Sequence, residues 1–399
     1  MTLSLADLEA LDAADPLRRF RSRFELPAGT IYLDGNSLGA LPRATADRLL
    51  DVVRIQWGRD LIRSWTDNGW IELPQRLGDK IGRIVGAAAD QVIVADSTSV
   101  NIFKLLDAAL QLRPGRKVIL SDRGNFPTDL YVARGLAALK GQGHELRIVD
   151  EAALADAMGD DIAVVMLTQV NYRSGRLHDM AAITRAAHAA GAVTLWDLSH
   201  SAGALPVHLD RDEADFAVGC GYKYLNGGPG APAFLYVAKR HQAMIRPALS
   251  GWFSHAAPFD FDLEYRPAEG IRRSLCGTPG ILGLVALDAA IDLMLEADQD
   301  VLRQKSVCLC ESFIALVEQE CGDMFELASP RAAAQRGSQI CLRHPVAGEF
   351  VERLMVGGVI PDFRPPDILR FGFAPLYIGF ADLWHAVAAL KRVGSDLAR

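Results

Sequence analysis

Short apolar segments alternate with amphipathic segments through the middle of the chain, from about residue 90 to residue 240. The pattern predicts seven apolar strands, namely QVIVAD, RKVILSD, ELRIVD, IAVVMLTQV, AVTLWDL, ADFAVGC and APAFLYV. Several of the intervening segments have helical periodicity, such as DMAAITRAAHAAG, where Gly191 is a candidate C-cap. Strands and helices that alternate in this way predict an α/β fold with a doubly wound, mostly parallel sheet.

The pattern changes after about residue 280, where longer helices and fewer strands are predicted. The predicted elements are helices from Gly280 to about Ala297 and from Val301 to Cys321, strands in SQICLRH and DILRFGFAPLY, and a closing helix from Phe380 to Val393. We therefore expect three parts. These are an N-terminal segment (1–45) that packs on a small domain, a large domain (46–280), and the small α/β domain itself (281–399).

Composition limits the class of protein. The 399 residues are 50% hydrophobic and 23% charged, as in ordinary globular proteins, and the net charge of -7 argues against nucleic acid or an anionic membrane as the main partner. No apolar run approaches the roughly 20 residues of a spanning helix. The N-terminus lacks the pattern of a signal peptide, so a cytoplasmic location is expected. The six cysteines have no C-x-x-C or zinc spacing, which indicates idle thiols and no metal site.

Lys223 is the most informative residue for chemistry. It follows the strand ADFAVGC, and the strand AVTLWDL upstream contains Asp197, with His200 three residues further along. Ligands gather at the carboxyl ends of parallel strands, so Asp197, Lys223 and Thr168 are expected to share one site. Such a lysine can form a Schiff base with pyridoxal 5'-phosphate, while the aspartate keeps the pyridine nitrogen protonated. At about 4 Å and an effective dielectric constant of about 20, that ion pair is worth about 4 kcal/mol.

Two further segments suit the same cofactor. Ser97, Thr98 and Ser99 follow a strand and open a helix, where unpaired backbone amides favour a phosphate; a plain N-cap cluster is the alternative. Phe126 precedes a helix and can stack on a flat ring, with core packing as the alternative. Asp129 is placed either to cap that helix or to contact the cofactor.

Two other residues are candidates for binding roles. Arg370 lies among apolar residues in the predicted strand DILRFGFAPLY, and its planar guanidinium suits the α-carboxylate of an amino acid. His200 is expected to contact the cofactor ring or to support Asp197, with an ordinary buried histidine as the alternative.

Taken together, these segments resemble the kynureninase family, within the aspartate-aminotransferase-like, fold type I class of pyridoxal phosphate enzymes. The resemblance extends from IYLDGNSLGALP to LRFGFAPLY and is most specific in YLDGNSLG, FPTD, DLSHSAG, YKYLNGGPG, GWFSH and CGTPGI. It implies hydrolysis of the β,γ carbon–carbon bond of L-kynurenine, or of its 3-hydroxy form. The products would be anthranilate or 3-hydroxyanthranilate and L-alanine, in tryptophan degradation or NAD biosynthesis.

The resemblance also implies roles for individual residues. The catalytic residues would be Lys223, Tyr222 and Asp197, and the substrate would contact Arg370, Ser37 and Trp65. The residues around the cofactor would be Thr98, Ser99, Phe126, Pro127, Thr128, Asp129, Thr168, Asp197, His200, Tyr222, Lys223, Trp252 and Thr278. In the family the last two come from the neighbouring subunit, which implies a homodimer with shared active sites.

Alternative functions on the same fold remain open. A cysteine desulfurase-like enzyme, or another pyridoxal phosphate β-lyase, needs a nucleophilic cysteine on a mobile loop. Cys276, beside Gly277, is the best candidate, whereas Cys341 lies in an apolar strand-like segment. A non-catalytic sensor that binds the cofactor would be supported by a basic helix-turn-helix, and neither end of the sequence contains one.

Overall fold

The computed structural model describes residues 2–398. The α-helices are α1 (Leu5–Ala14), α2 (Arg43–Asp51), α3 (Ser64–Asp67), α4 (Leu73–Val85), α5 (Thr98–Leu112), α6 (Pro127–Lys140), α7 (Met180–Ala189), α8 (Lys239–Gln242), α9 (Ile281–Leu295), α10 (Gln299–Cys321), α11 (Ala347–Val356) and α12 (Phe380–Leu397). Within the described residues, every helix is too short or too polar to cross a lipid bilayer.

The strands form one large sheet, one small sheet and two short pairs. Their bounds are β1 (Phe24–Glu25), β2 (Ile31–Tyr32), β3 (Leu41–Pro42), β4 (Val92–Val94), β5 (Val118–Asp122), β6 (Glu145–Val149), β7 (Ile162–Thr168), β8 (Val193–Asp197), β9 (Phe216–Gly219), β10 (Phe234–Val237), β11 (Glu326–Leu327), β12 (Gln339–Arg343), β13 (Val359–Ile360), β14 (Asp362–Arg364) and β15 (Ile368–Gly372).

The large sheet has seven strands in the order β4-β10-β9-β8-β7-β5-β6. Strand β10 is antiparallel to both of its neighbours, and the other neighbouring strands are parallel. Consecutive residues such as Val164 and Val165 belong to different apolar clusters, so the sheet is buried on both faces except at the edge strand β6, which is partly exposed. This burial explains why the strands read as continuous apolar runs. The predicted α/β class and all seven predicted strands are confirmed.

Helix ends differ slightly from the predicted ones. Helix α10 begins at Gln299 because the Asp298 side chain accepts hydrogen bonds from the backbone N–H groups of Asp300 and Val301. The C-cap of α7 is Ala190, and Gly191 is the next residue, in the left-handed region at φ +78°. The helix thus ends one residue before the predicted C-cap, and the chain turns at Gly191, where a glycine is favoured.

The N-terminal segment contacts the C-terminal helices. Asp12 accepts hydrogen bonds from the backbone N–H groups of Phe380 and the following residue, at the start of α12. Asp15 forms a buried ion pair of 2.7 Å with Lys305 of α10. These contacts favour the expected packing of the N-terminal segment on the small domain, which contains the antiparallel sheet β11-β12-β15-β14. The three domain boundaries themselves stay a prediction.

Asp215 joins several elements of the large domain. It is 1% exposed and contacts His188 at 2.8 Å, His241 at 2.7 Å, Arg240 at 2.8 Å and the backbone N–H of Thr194 at 2.8 Å. Burial alone would raise the pKa of Asp215, but these hydrogen bonds and the charge of His188 outweigh it and hold the pKa well below its usual range. The carboxylate therefore stabilises the fold above about pH 4, and this contribution is lost as the pH falls further.

We predict that Asp215→Ala lowers the free energy of unfolding at pH 7 by about 3–5 kcal/mol, because the hydrogen-bond donors of His188, His241, Arg240 and the Thr194 backbone lose their buried acceptor. Urea denaturation measures this loss, and the difference from the wild-type protein should shrink below about pH 4. Asp150→Ala is the control, because the Asp150 side chain is 75% exposed in its pair with Arg123. A loss no larger than that of the control would contradict the prediction.

Candidate active site

The carboxyl ends of three neighbouring parallel strands meet at one edge of the large sheet. Thr168 and Asp197 are the last residues of β7 and β8 and are paired in register, and Lys223 lies shortly after β9. A cavity of about 190 Å³ opens here. Its lining residues are Thr98, Ser99, Phe126, Thr128, Asp129, Thr168, Tyr172, Asp197, Ser199, His200, Tyr222 and Lys223. All except Tyr172 and Ser199 are among the residues predicted from the sequence.

Lys223 presents its amine to an imidazole and two aromatic rings. Its Nζ lies 2.9 Å from His200 Nε2 and 5.9 Å from the ring centroids of Phe126 and Tyr222. Burial, together with the charges of Lys223 and Arg370, holds the pKa of His200 well below its usual value, so the imidazole is neutral. Burial also raises the pKa of Tyr222 to about 12. The site thus combines an amine, a neutral imidazole and a phenol that keeps its proton.

Two carboxyl groups, those of Asp129 and Asp197, also line the cavity. Asp197 accepts a hydrogen bond of 2.8 Å from the backbone N–H of Ser199. Asp129 is buried, and its Oδ2 has no hydrogen-bond partner among the described residues. Burial and the neighbouring Asp197 raise the pKa of Asp129 well above its usual value. This pair, with its unused acceptor atom, fits a cationic N–H such as a protonated pyridine nitrogen.

The start of α6 clarifies two other predictions. Pro127 is the first residue of the helix, where its fixed φ suits the first turn, and it is absent from the residues that line the cavity. Asp129 lies in the first turn, but the helix has no side-chain cap. Of the two roles considered for Asp129, the helix cap is therefore wrong.

The start of α5 offers an anion site. Ser97 is the N-cap, and its side chain accepts a hydrogen bond of 3.4 Å from the backbone N–H of Val100. Thr98 and Ser99 are the first two residues of this 15-residue helix, and both line the cavity. The amides of a first turn have no partners within the helix, and the helix dipole favours negative charge there. A phosphate group therefore fits in the cavity beside Thr98 and Ser99.

Asn125 holds the loop that carries Phe126. Its amide donates to Ser121 Oγ at 2.9 Å and accepts from the backbone N–H of Phe126 at 2.7 Å and from the Thr168 hydroxyl. The Phe126 ring meets Tyr172 edge-on, with the ring centroids 5.1 Å apart. Sequence analysis missed Asn125 and Tyr172. For Asn125 the one available signal was its position directly before the FPTD segment, and Tyr172 had no such signal.

Arg370 extends from β15 of the small domain and is fully buried. Its Nη1 donates to the backbone oxygen of Tyr172 at 2.8 Å, while Nη2 donates to Ser37 Oγ at 2.6 Å and to Asp362 at 2.5 Å. The predicted residues Arg370 and Ser37 thus lie together, beside a residue that lines the cavity. Sequence analysis missed Asp362. Its carboxylate occupies Arg370 Nη2, a donor that a substrate carboxylate would need.

A second acid lies beside this arginine. Asp34 Oδ1 is 3.8 Å from Arg370 Nη2. Burial, followed by the negative charge of Asp362, raises the pKa of Asp34 to about 6 despite the nearby arginines. The region around Arg370 thus contains two acids, Asp34 and Asp362, beside Arg370 and Arg364, and the Asp34 carboxyl has its pKa close to neutral pH.

Three predicted residues lie apart from Lys223 within the described chain. Trp252 Nε1 donates to Thr278 Oγ1 at 3.3 Å, and Thr278 lines a separate cavity of about 400 Å³. Trp252 and Trp65 both pack against Phe253, with centroid distances of 4.8 and 5.9 Å. A second cluster therefore contains Trp65, Trp252 and Thr278. These three residues are absent from the lining of the Lys223 cavity of the same chain.

Comparison with known proteins assigns the family. Residues 61–345 match the class-V aminotransferase model, and residues 302–390 match the kynureninase C-terminal domain model. The kynureninase of Deinococcus radiodurans is 53% identical over 99% of this chain and 97% of its own length. The kynureninase of Burkholderia mallei is 51% identical over 96% of this chain and 94% of its own length.

The chain belongs to the kynureninase family. The resemblance carried by YLDGNSLG, FPTD and YKYLNGGPG is therefore confirmed. The roles assigned to individual residues of this kynureninase-family chain remain predictions that its geometry supports.

Solved structures show the fold. The chain is similar to a cysteine desulfurase of Thermococcus onnurineus NA1, with a TM-score of 0.80, 16% identity and coverage of 95% of this chain and 98% of that one. A cysteine desulfurase of Escherichia coli gives a TM-score of 0.78, 19% identity and coverage of 96% and 98%. At such identities the likeness shows the type I fold of pyridoxal phosphate enzymes and not the reaction.

The cysteines do not favour a desulfurase-like reaction in this kynureninase-family chain. Among the described residues, none of those lining the Lys223 cavity is a cysteine. Cys341 is buried in β12, where burial raises the pKa of its thiol to about 11. Cys276 lines the separate cavity that contains Thr278.

We predict that Lys223→Ala abolishes covalent attachment of pyridoxal phosphate, because the Lys223 amine is the nucleophile of the cavity. The measurement is mass spectrometry after borohydride reduction of protein incubated with the cofactor. Lys239→Ala is the control, since Lys239 is exposed in a 2.5 Å pair with Asp90, and it should retain the label. A label that persisted in Lys223→Ala would refute the assignment.

Proposed function

We propose that the chain is a pyridoxal phosphate-dependent hydrolase that cleaves the β,γ carbon–carbon bond of L-kynurenine to give anthranilate and L-alanine. The observation that carries this proposal is 51–53% identity to kynureninases over almost the whole chain. The cavity supports it, because Lys223, Asp197 and the first turn of α5 lie around one space.

Each part of the cofactor has a matching group in the chain. Thr98 and Ser99 would hold the phosphate, Asp197 would hold the ring nitrogen, and Phe126 and His200 would contact the ring. When bound, the cofactor supplies a protonated ring that takes up electron density from the α-carbon of the substrate. The remaining tasks fall to side chains.

The side chains bind the substrate and move its protons. Lys223 Nζ, as a free amine, would take the proton from the α-carbon. Arg370 and Ser37 would bind the α-carboxylate, which replaces Asp362 on the guanidinium. Water adds to the side-chain carbonyl carbon and supplies an oxygen of the anthranilate carboxylate. The electron pair of the broken bond stays with the β-carbon, which takes a proton from the Tyr222 hydroxyl.

We also propose a homodimer with shared sites. Trp252 and Thr278 of each chain would complete the phosphate side of the other chain's cavity, and Trp65 would line the space for the aniline ring. The separation of these residues from Lys223 within one chain supports this arrangement. So do the apolar side chains of Phe261 and Leu263, which are 76% and 103% exposed in the segment that follows Trp252 in the chain, because large exposed apolar groups indicate an interface.

The cellular setting is also part of the proposal. We infer a cytoplasmic enzyme of tryptophan degradation or NAD biosynthesis. The six free cysteines suit a reducing compartment.

We predict that the purified protein loaded with pyridoxal phosphate converts L-kynurenine to anthranilate, measured by anthranilate fluorescence. Arg370→Gln should raise KM about 10–100-fold, which corresponds to the roughly 1.5–3 kcal/mol of a hydrogen bond to a charged group. Arg343→Gln, at an exposed pair with Glu326, should leave KM unchanged. Release of sulfide from cysteine without anthranilate from kynurenine would instead favour the desulfurase-like alternative.

We predict that inactive Lys223→Ala protomers recover partial activity when mixed with inactive Trp252→Ala protomers, because a hybrid dimer contains one site with both native residues. Kynurenine turnover after exchange of subunits measures the recovery. Lys223→Ala mixed with Asp197→Ala is the control and should stay inactive, since both residues line the same cavity. Absence of recovery in the first mixture would rule out shared sites.

A further inference from the structure

Gln339 brings the small domain to the lysine site. It is the first residue of β12 and is 1% exposed. Its Nε2 donates to the backbone oxygens of Asn171 at 3.3 Å and Tyr172 at 3.2 Å. Backbone oxygens only accept hydrogen bonds, so they determine which end of the amide is the nitrogen. The amide oxygen therefore points the other way, toward the ring of His200.

This orientation determines the tautomer of His200. Gln339 Oε1 lies 3.1 Å from His200 Nδ1. Because an amide oxygen has no proton to donate, Nδ1 must carry the hydrogen. The imidazole is buried and neutral, so its Nε2 has a free lone pair. That Nε2 is the atom 2.9 Å from Lys223 Nζ, so the lysine donates and the histidine accepts.

We propose that Gln339 is a positioning residue for proton transfer, which acts by keeping His200 protonated at Nδ1 so that Nε2 accepts a hydrogen from the Lys223 amine. The inference rests on the proposed function and adds a residue to it. With one hydrogen held by His200, the lone pair of the released amine stays free for the α-proton of the substrate.

The opposite tautomer would hinder the reaction. A proton on His200 Nε2 would be donated to the lone pair of the lysine amine, which then could not act as a base. Since a positioned general base contributes about 10²–10⁴-fold to a rate, loss of the tautomer preference should cost about tenfold or more in kcat. The effect falls on proton transfer and not on substrate binding, because the carboxylate site uses Arg370.

The direct test is nitrogen NMR of the protein labelled with ¹⁵N-histidine, with and without bound pyridoxal phosphate. His200→Gln identifies the His200 signals by their loss. We expect a protonated, pyrrole-type Nδ1 and a pyridine-type Nε2 in the wild-type protein. In Gln339→Met, which has similar length but no amide, the two tautomers should interchange. Gln335→Met is the control, because Gln335 is exposed in the same segment.

Kinetics with L-kynurenine deuterated at the α-carbon gives the second readout. Gln339→Met should lower kcat about tenfold or more with KM changed less than about twofold, and should raise the deuterium isotope effect on kcat. A protonated Nε2 in the wild-type protein, an unaltered tautomer in Gln339→Met, or an isotope effect equal to that of Gln335→Met would each overturn the proposal. If the wild-type protein formed no anthranilate, the proposed function would fail, while the tautomer measurement would still stand.

Discussion

The hydrogen bond between the Lys223 amine and the neutral His200 imidazole is the interaction on which the site depends. A lysine in a partly desolvated cavity needs an acceptor, and burial makes the imidazole neutral, so that it can serve as one. The same cavity is lined by the carboxyl groups of Asp129 and Asp197 and by the first turn of α5. It therefore contains both groups that suit a cation and groups that suit an anion.

Parallel strands bring these groups together. The last residues of β7 and β8 are paired in register, so Thr168 and Asp197 meet without any special local geometry. Helices α5 and α6 begin at the same edge of the sheet, and each presents its first turn to the cavity. The loops have secondary supports: Asn125, for example, joins β5, the Phe126 loop and β7 through side-chain hydrogen bonds.

The small domain completes the site from the opposite side. Arg370 of β15 and Gln339 of β12 extend from one antiparallel sheet toward the large domain, and both contact the backbone of Tyr172. The N-terminal segment adds Ser37 and Asp34 to the same region. Arg370 and Gln339 are thus linked through the same backbone oxygen of Tyr172.

The sequence by itself determined the strand order along the chain, the α/β class and most of the residues around Lys223. The strands follow from apolar periodicity, and the ends of parallel strands indicate where ligands bind. The fuller set of residues around Lys223 followed from the resemblance of local segments such as FPTD and YKYLNGGPG to kynureninases. Only the tertiary structure decided that Gln339 faces His200, that Asp362 holds Arg370, and that Trp65, Trp252 and Thr278 lie in a separate cluster. Those contacts join residues far apart in the chain, and no spacing rule encodes them, since they depend on how two domains pack and on which buried polar groups must find partners.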